Sequence, residues 1–407
     1  MNSQSKYTIL LISSVLVIYA IVGGMLGRVS AQNGSYQSLS ILYEVLNYVQ
    51  TSYVDEPTMK NVINGGVRGL IETVDPHGAY LLPKELAFYK DFNLTKTPGI
   101  GAVVIRRFGY PVIVSVMPTG PAGKAGLGTG DLIESIDGMT TREMNIVQVY
   151  SLLSSPVGKP VSLSVIRRRR GGDPETIQLN REPMAVPAVD AKVIETNVAY
   201  IKPSYLGAGR TLEVKRQLET LLKRNVMGVV LDLRSTAGGD EQEGVQLANL
   251  FLDAGPIGSL EGQKFEKQVF SAVAKNAVTK LPVIAIVNQG TAGAAELVAG
   301  AILDNKRGQV IGTKTFGSGS FTKIMPLEDG SALLLSVAKY RTPSGTDIQE
   351  AGLKPSVEVL QPSEEPFNPD DDAEIVQPSK TPANEEDRQL KRAVEILKDP
   401  TKARKAA

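Results

Sequence analysis

Residues 229–239 read VVLDLRSTAGG, an apolar run that ends in a pair of glycines. A short β-branched run bounded by glycines is typical of a buried strand. Residues 241–252 then carry apolar side chains at helical spacing, so the sequence predicts a strand, a glycine turn and a helix. Because the start of a helix presents unpaired backbone N–H groups, this turn can stabilise an anion or a developing oxyanion.

The same alternation continues on both sides of this unit. Strand-like runs and amphipathic helices follow one another, as expected for an α/β core. The predicted strands are residues 226–233, 283–287, 310–312 and 333–340, and the predicted helices are residues 211–224, 241–252 and 294–303. We assign residues 184–360 to this core.

Residues 97–183 have a different character. Short β-branched runs are separated by glycines, which suits a small barrel or sandwich better than helices. The motifs in this segment are TPGIGA at 97–102, PTGPAGKAGL at 118–127, GDLI at 130–133 and IDG at 136–138. Because TPGIGA leads straight into a strand, its backbone N–H groups can bind a carboxylate.

The amino-terminal residues 8–27 carry no charged side chain, and about 20 apolar residues are enough for a helix to cross a bilayer. Lys6 precedes this run and Arg28 follows it, which gives a weak signal for an orientation with the amino terminus inside. The run is long for a signal-peptide core, so we interpret residues 1–31 as an uncleaved membrane anchor. The remainder is expected on the periplasmic or cell-surface side; cleavage after Ala31, which would release a secreted protein, is the alternative.

Residues 32–96 are predicted to be mainly helical. Leu39, Leu42 and Val45 recur at spacings of three and four, which indicates a packed helix. His77 follows in a DPHG turn at residues 75–78. A turn histidine without a second metal-ligand residue nearby is typically structural.

The composition excludes several kinds of chemistry. The chain has no cysteine, so it has no disulfide, no thiolate metal site and no cysteine nucleophile. His77 is the single histidine, and we expect neither a metal nor a cofactor. The 44 basic and 43 acidic residues nearly cancel, so nucleic acid is not an expected partner. The four arginines at residues 167–170 are interpreted as a solvated hairpin tip rather than a phosphate- or lipid-binding patch.

Two segments follow the core. Residues 361–383 are rich in proline and acid, the composition of a disordered linker. Residues 384–407 contain a predicted helix with Asn384 as its cap. Its apolar stripe consists of Leu390, Val394 and Leu397.

Residues 97–183 resemble a PDZ domain, because the motifs TPGIGA, PTGPAGKAGL, GDLI and IDG occur there in the order found in that family. The resemblance implies β-augmentation, in which an extended carboxy-terminal peptide joins a sheet edge. The helix at residues 144–153 should wall the groove, with Val147 and either Tyr150 or Ser151 facing the peptide. The amides expected to bind the peptide carboxylate belong to Gly99, Ile100, Gly101 and Ala102. The alternative is a PDZ-like module that only packs against its neighbour.

Nearly the whole chain resembles the carboxy-terminal-processing peptidases, the serine peptidases that couple a PDZ domain to an α/β core. The matching elements include the Asp-Pro turn at 75–76, the LDLR strand at 231–234, the AEL helix at 295–297 and the TPSG segment at 342–345. The resemblance implies a mixed α/β fold. A PDZ domain is inserted between a helical amino-terminal region and the peptidase-like core, and a membrane helix comes first.

In that family the nucleophilic serine, the general-base lysine and a supporting glutamine correspond to Gly293, Ser318 and Thr322. The first two positions are 25 residues apart, which is the separation in the family motif. Glycine cannot form an acyl intermediate, and serine cannot take a proton at neutral pH as a buried lysine can. The family's Ser–Lys mechanism therefore cannot run. The resemblance places the oxyanion hole at Gly238 or Gly239 and Ala294.

The sequence thus predicts a pseudopeptidase, a scaffold or regulator that binds protein carboxy termini. Its expected partners also include an envelope protein or an active peptidase. One alternative is an active serine-type peptidase that uses another dyad. A Ser-His-Asp arrangement is not expected, because it would need His77, which is expected outside the core. The candidate groups for that dyad are Thr291, Ser318 or Ser320 as nucleophile and Lys314 or Lys323 as base. The other alternative is a structural role, with assembly through the terminal helix at residues 384–398.

Overall fold

The computed structural model describes residues 17, 33–107, 109–154, 156–168, 173–184, 186–195, 197–362 and 386–399. The chain divides into two compact units, Met1–Gly69 and Leu70–Ala407. Apart from Val17, the predicted membrane segment at residues 8–27 lies outside the described residues, and so does most of the predicted linker. In the part that is described, no helix is both long and apolar enough to cross a membrane.

The first unit contains helix α1 (Asn33–Ser52) and most of helix α2 (Met59–Val74). On α1, Leu39, Leu42 and Val45 are at least half exposed. The prediction that this stripe is packed is therefore wrong for the single chain. Helical periodicity shows that a helix has an apolar face, but it does not show what covers that face.

The second unit opens with strand β1 (Ala79–Leu81) and helix α3 (Pro83–Asp91). Proline at the first helical position suits a helix start, because its missing N–H would have no intrahelical acceptor. The Glu85 carboxylate accepts a hydrogen bond from the Leu82 N–H at 2.9 Å, which closes the helix start. Leu81 and Leu86 are buried in a small apolar cluster beside this helix.

An antiparallel sheet with two helices follows. Its elements are β2 (Ala102–Arg107), β3 (Tyr110–Val116), α4 (Pro121–Lys124), β4 (Leu132–Ile136), β5 (Met139–Thr140), α5 (Ile146–Leu153), β6 (Pro160–Ile166) and β7 (Glu175–Asn180). The strand order is β2-β3-β4-β6-β7, and β5 pairs with β4. Its own core contains Ile113, Ile133, Val149 and Leu163.

Arg167 does not lie on a solvated hairpin tip. Its side chain is 12% exposed, and its guanidinium donates to Asp131 at 3.0 Å and to the Gly126 carbonyl at 2.7 Å. The prediction was therefore wrong for Arg167, because its carboxylate partner lies 36 residues earlier in the sequence. Arg169 and Arg170 lie outside the described residues.

The remaining elements form the α/β core. They are β8 (Asp190–Ile194), β9 (Val198–Lys202), α6 (Arg210–Leu222), β10 (Gly228–Asp232), α7 (Glu241–Asn249), β11 (Pro256–Gly262), β12 (Phe265–Ser271), β13 (Val283–Val287), α8 (Ala294–Asp304), β14 (Gly308–Gly312), β15 (Ser320–Pro326), β16 (Ala332–Arg341), β17 (Val357–Glu358) and α9 (Arg388–Lys398). One sheet has the order β17-β14-β13-β10-β9-β8, and all its neighbours are parallel except β8 and β9.

Side chains alternate across this sheet. On β10, Val229 and Leu231 join the cluster that contains α6, α7 and α8 residues, whereas Val230 joins the cluster that contains α9 residues. Helices therefore cover both faces, as in other mainly parallel sheets. A second, antiparallel sheet has the order β1-β16-β11-β12, with β15 paired to β16.

Helix α9 is buried along the predicted stripe, with Val394 and Leu397 at most 5% exposed. Its cap is Asp387, whose side chain accepts from the Leu390 N–H at 2.9 Å. The prediction of Asn384 as the cap was wrong. Asp387 also binds the Arg234 guanidinium, which in turn binds the buried Asp232 at the end of β10. Arg234, the second partner of Asp387, is remote from it in sequence, so the local sequence pattern could not indicate this contact.

Candidate functional site

Gly293 lies at the N-cap of α8, in the short loop that follows β13. Its backbone angles are φ 64° and ψ −121°, a conformation that residues with side chains rarely adopt and glycine adopts freely. A Cβ atom built on Gly293 would meet one neighbouring atom within 4 Å, the Ser318 carbonyl oxygen at 4.0 Å. The site therefore has room for a side chain at this position and contains none.

The Ser318 loop faces Gly293 and is held by its backbone. The N–H groups of Gly317 and Ser318 each donate to Glu296 at 2.8 Å. Beyond them, the Gly319 carbonyl accepts from the Tyr340 N–H at 2.7 Å. The structure thus brings the two predicted positions, Gly293 and Ser318, to the same place. Thr322 lies farther along, on β15, in register with Ser336 on β16.

Glu296 fixes both sides of this site. Its carboxylate is fully buried and accepts from four donors: the Gly293, Gly317 and Ser318 N–H groups and the Thr315 hydroxyl. Burial raises the pKa of Glu296, and these hydrogen bonds oppose that effect. Sequence reasoning did not identify this role. An acidic residue three positions after a helix N-cap is the capping-box position, and this signal could have identified Glu296.

The glycine turn after β10 lies at the predicted place. Gly238 has Tyr205 and Val103 as its nearest neighbours, and Gly239 forms a bridge with Leu206. Ala294 is the first residue of α8, so its N–H has no intrahelical acceptor. Gly244 on α7 lies so close that a Cβ there would be 2.6 Å from the Ala294 carbonyl oxygen. The starts of α7 and α8 are therefore adjacent, and the start of α8 presents the Ala294 N–H as a backbone donor.

The rim of this region carries acidic groups. Burial raises the pKa of Glu241 in the first turn of α7, and neighbouring Asp240 raises it further. Burial together with Glu241 and Asp240 also raises the pKa of Tyr340. Both carboxylates therefore lie close to the strand that holds the Ser318 loop. Across the described ranges, no group of three or more His, Cys, Asp and Glu side chains could hold a metal ion.

His77 lies against the Ser318 loop, which corrects its predicted location outside the core. Its Nε2 atom is in hydrogen-bond contact with the Gln349 side-chain nitrogen. Gln349 in turn accepts from the Gly319 N–H at 2.7 Å. Burial lowers the pKa of His77, an effect opposed by Asp75 and Glu350 and increased by nearby Arg107 and Arg106 on β2. No sequence signal linked the DPHG turn to a glutamine 272 residues away.

The alternative dyad candidates are engaged in other contacts or exposed. The Thr291 hydroxyl is buried and donates to the Leu233 carbonyl at 2.8 Å. The Lys323 ammonium lies 5.0 Å from the centre of the Phe265 ring. Lys314 is exposed, and Ser320 is the first residue of β15. These contacts give Thr291 and Lys323 structural roles.

The predicted peptide-binding loop runs into β2. Gly99 exchanges two 3.0 Å backbone hydrogen bonds with Glu182, and the Ile100 carbonyl accepts from the Ala122 N–H at 2.8 Å. The Gly101 carbonyl accepts from the Met117 N–H, and Ala102 begins the strand. The Gly99 N–H is therefore already bonded within the domain, and the prediction that it binds a peptide carboxylate is wrong. A small pocket lies beside it, and its lining includes Phe92, Leu94, Ile100, Tyr150 and Met184.

Val147 does not line this pocket. It is 2% exposed and packs with Leu81 and Leu86 on the other side of α5. Tyr150 occupies the groove instead. Its hydroxyl accepts from the Val104 N–H at 2.9 Å and donates to the Val104 carbonyl at 3.0 Å. The prediction was therefore wrong for Val147, and of the two alternatives for the second groove residue, Tyr150 and Ser151, Tyr150 lines the pocket.

Two features define the class of this protein. An antiparallel sheet with its loop and helix is joined to an α/β core, and in that core a glycine turn lies beside a helix start. This combination is that of the PDZ-containing serine peptidases and their homologues. Residues 197–359 match the model of peptidase family S41, and residues 112–167 match that of the PDZ domain. The chain belongs to peptidase family S41, among the carboxy-terminal-processing proteases.

The relatives span most of the chain. This chain is 30% identical over 342 residues to the carboxy-terminal-processing protease of Bartonella bacilliformis, and the match covers 83% of this chain and 78% of the relative. Identity to the carboxy-terminal processing protease CtpA of Bacillus subtilis is 28%, over 89% of this chain and 78% of the relative. Among solved structures, the photosystem II D1 C-terminal processing protease is similar, with a TM-score of 0.70, 27% identity, and coverage of 81% of this chain and 88% of that one.

Proposed function

We propose that this chain is a membrane-anchored, extracytoplasmic pseudopeptidase that binds protein carboxy termini through its PDZ domain and does not cleave them. It would act as a scaffold or regulator of an envelope protein or an active peptidase. The observation that carries the proposal is the pairing of Gly293 with Ser318. Gly293 lies at the start of α8 beside Ser318 with room for a side chain, but the two residues together supply no nucleophile and base pair.

The chemistry supports this proposal. Acyl transfer needs an attacking atom at Gly293 and a group that removes its proton. A glycine has no such atom, and the hydroxyl of Ser318 is not a base at neutral pH. The glycine turn and the start of α8 keep backbone donors, which can bind a substrate carbonyl without cleavage. Binding without turnover is what this combination supports.

The test compares the natural full-length chain with a variant carrying Gly293→Ser, Ser318→Lys and Thr322→Gln, using an unfolded protein as substrate. We expect no cleavage by the natural chain and measurable cleavage by the restored one, followed by gel and mass spectrometry. The matched control carries Gly293→Ala with the same two other changes, so that it has the same backbone strain but no nucleophile. Cleavage by the natural chain, through another dyad, would overturn the proposal.

Membrane anchoring rests on the uncharged run at residues 8–27. We expect the full-length chain to sediment with membranes and a chain lacking residues 1–31 to stay in the soluble fraction. Protease added to intact cells or spheroplasts should reach the remainder of the chain, because it lies outside the cytoplasm. A mature protein that starts at Gln32 would instead show cleavage and secretion, and protection from the protease would contradict the extracytoplasmic placement.

A further inference from the structure

The Tyr150 hydroxyl occupies the free edge of β2. It accepts from the Val104 N–H at 2.9 Å and donates to the Val104 carbonyl at 3.0 Å. Strand β2 pairs with β3, and Val104 is in register with Ile113 there. Because both Val104 groups bind Tyr150, they point away from β3, toward α5. They are the backbone groups that an added strand would use.

One hydroxyl can replace a peptide at this position. An antiparallel strand pairs with a residue by giving one C=O acceptor to its N–H and one N–H donor to its C=O. A tyrosine hydroxyl has one donor and acceptor lone pairs, so it provides both. Tyr150 therefore satisfies Val104 as a bound peptide strand would, and a peptide cannot pair with Val104 while the hydroxyl stays.

The surrounding side chains hold Tyr150 in this position. Its ring packs on Phe92, with ring centres 4.8 Å apart, and Phe92 stacks on Phe88 at 5.3 Å. Phe92 and Leu94 also line the pocket beside the loop that starts β2. Burial raises the pKa of Tyr150 to about 12, so the hydroxyl keeps its proton and remains a donor.

We propose that Tyr150 is an internal cap of the PDZ groove: a carboxy-terminal peptide binds only after the Tyr150 hydroxyl has left Val104. This inference rests on the proposed capture of carboxy termini and adds how that site is regulated. The closed groove is the resting state, and binding exchanges one set of Val104 hydrogen bonds for another. Any change that weakens the Tyr150 contact should therefore favour the peptide.

The test is Tyr150→Phe in the full-length chain. Phenylalanine keeps the ring contact with Phe92 but leaves both Val104 groups unpaired in the closed state, which destabilises that state. We expect affinity for a fluorescein-labelled decapeptide ending in three alanines to rise about tenfold, which corresponds to about 1.4 kcal/mol, measured by anisotropy. Hydrogen exchange at the Val104 amide should also become about tenfold faster without peptide. Tyr110→Phe, a change in the same domain outside the groove, should alter neither value.

The outcomes separate the two proposals. Equal peptide affinity of the natural chain and Tyr150→Phe would overturn the cap and leave carboxy-terminal capture standing. Unchanged exchange at Val104 would also overturn the cap, and it needs no ligand. If neither chain binds the decapeptide, or if an amidated decapeptide binds equally well, capture of carboxy termini by this groove fails, and the cap fails with it as a peptide gate.

Discussion

Glu296 joins the two halves of the candidate site. Each of its carboxylate oxygens accepts two hydrogen bonds, one oxygen from Thr315 and Gly317 and the other from Gly293 and Ser318. All four partners are donors, so the ionised carboxylate fits this environment and a neutral amide does not. Glu296 therefore holds the backbones of Gly293 and Ser318 in place relative to each other.

Glu296→Gln tests this role. The amide replaces one oxygen with an NH₂ group, which would face two donors and leave them unpaired. Each buried unpaired group costs about 1–3 kcal/mol, so we expect the free energy of unfolding to fall by about 3 kcal/mol in urea titrations. Glu395→Gln on α9 is the matched control. It breaks an exposed ion pair with Arg392 at 3.1 Å, where a loss below about 1 kcal/mol is expected. Equal losses in both variants would contradict the role of Glu296.

Sequence identified some site residues and missed others for a physical reason. Gly293 and Ser318 were found because motif spacing along the chain is visible in a sequence, and the structure places them together. His77 was placed outside the core, and Gln349 was not considered at all. Their contact closes a loop of 272 residues, and no local pattern records which distant side chains meet. Positions that act through long-range hydrogen bonds are therefore the ones that motif reading misses.

Helix α5 shows the same limit for a secondary-structure element. Its helical period was predicted correctly, but of the residues predicted to face the groove, Val147 does not face it and Tyr150 does. Val149 packs into the core of the antiparallel sheet, Val147 packs on Leu81 and Leu86, and Tyr150 reaches β2. A helix with apolar residues on several sides is covered on several sides, so periodicity cannot choose among them.

The core strands were easier to predict. β13 has the predicted bounds, and β16 extends one residue beyond the prediction at each end. These strands are buried on one or both faces and are bounded by prolines, glycines or polar residues, so their limits appear directly in the sequence. The exposed face of α1 is the opposite case. Its period is clear, but its apolar side chains Leu39, Leu42 and Val45 are at least half exposed.

Over the second unit as a whole, the PDZ domain and the core share a buried cluster. Val103 and Val114 of the PDZ sheet pack with Ala237, Ala292 and Phe316, which flank the glycine turn, Gly293 and Ser318. Arg107 also donates to the Phe316 carbonyl at 3.3 Å. The loops of the candidate site thus pack directly on the PDZ domain. Sequence predicted both domains, but not that the site loops would form their boundary.

His77 connects three parts of this unit: its own turn, the PDZ strand with Arg106 and Arg107, and the Ser318 loop through Gln349. Because the Gly319 N–H donates to the Gln349 oxygen, the Gln349 amide turns its NH₂ group toward His77. The His77 Nε2 atom must then be an acceptor, which requires a neutral ring. In a protonated ring the Nε2–H would face the Gln349 NH₂ group, so two donors would meet. Turning the Gln349 amide over would instead place its NH₂ group against the Gly319 N–H, which is also a donor.

Stability should therefore depend on pH through His77. Burial lowers its native pKa below the value of about 6.5 expected in the unfolded chain. The unfolded state takes up the proton first, so the free energy of unfolding is highest above about pH 6.5 and falls as the pH drops toward the native pKa. As His77 is the single histidine, its ring signals can be followed by NMR without ambiguity. His77→Gln should reduce the difference between the free energies of unfolding that urea titrations give at pH 7.5 and 5.5. A native pKa at or above 6.5, or an unchanged slope in the variant, would contradict the neutral ring.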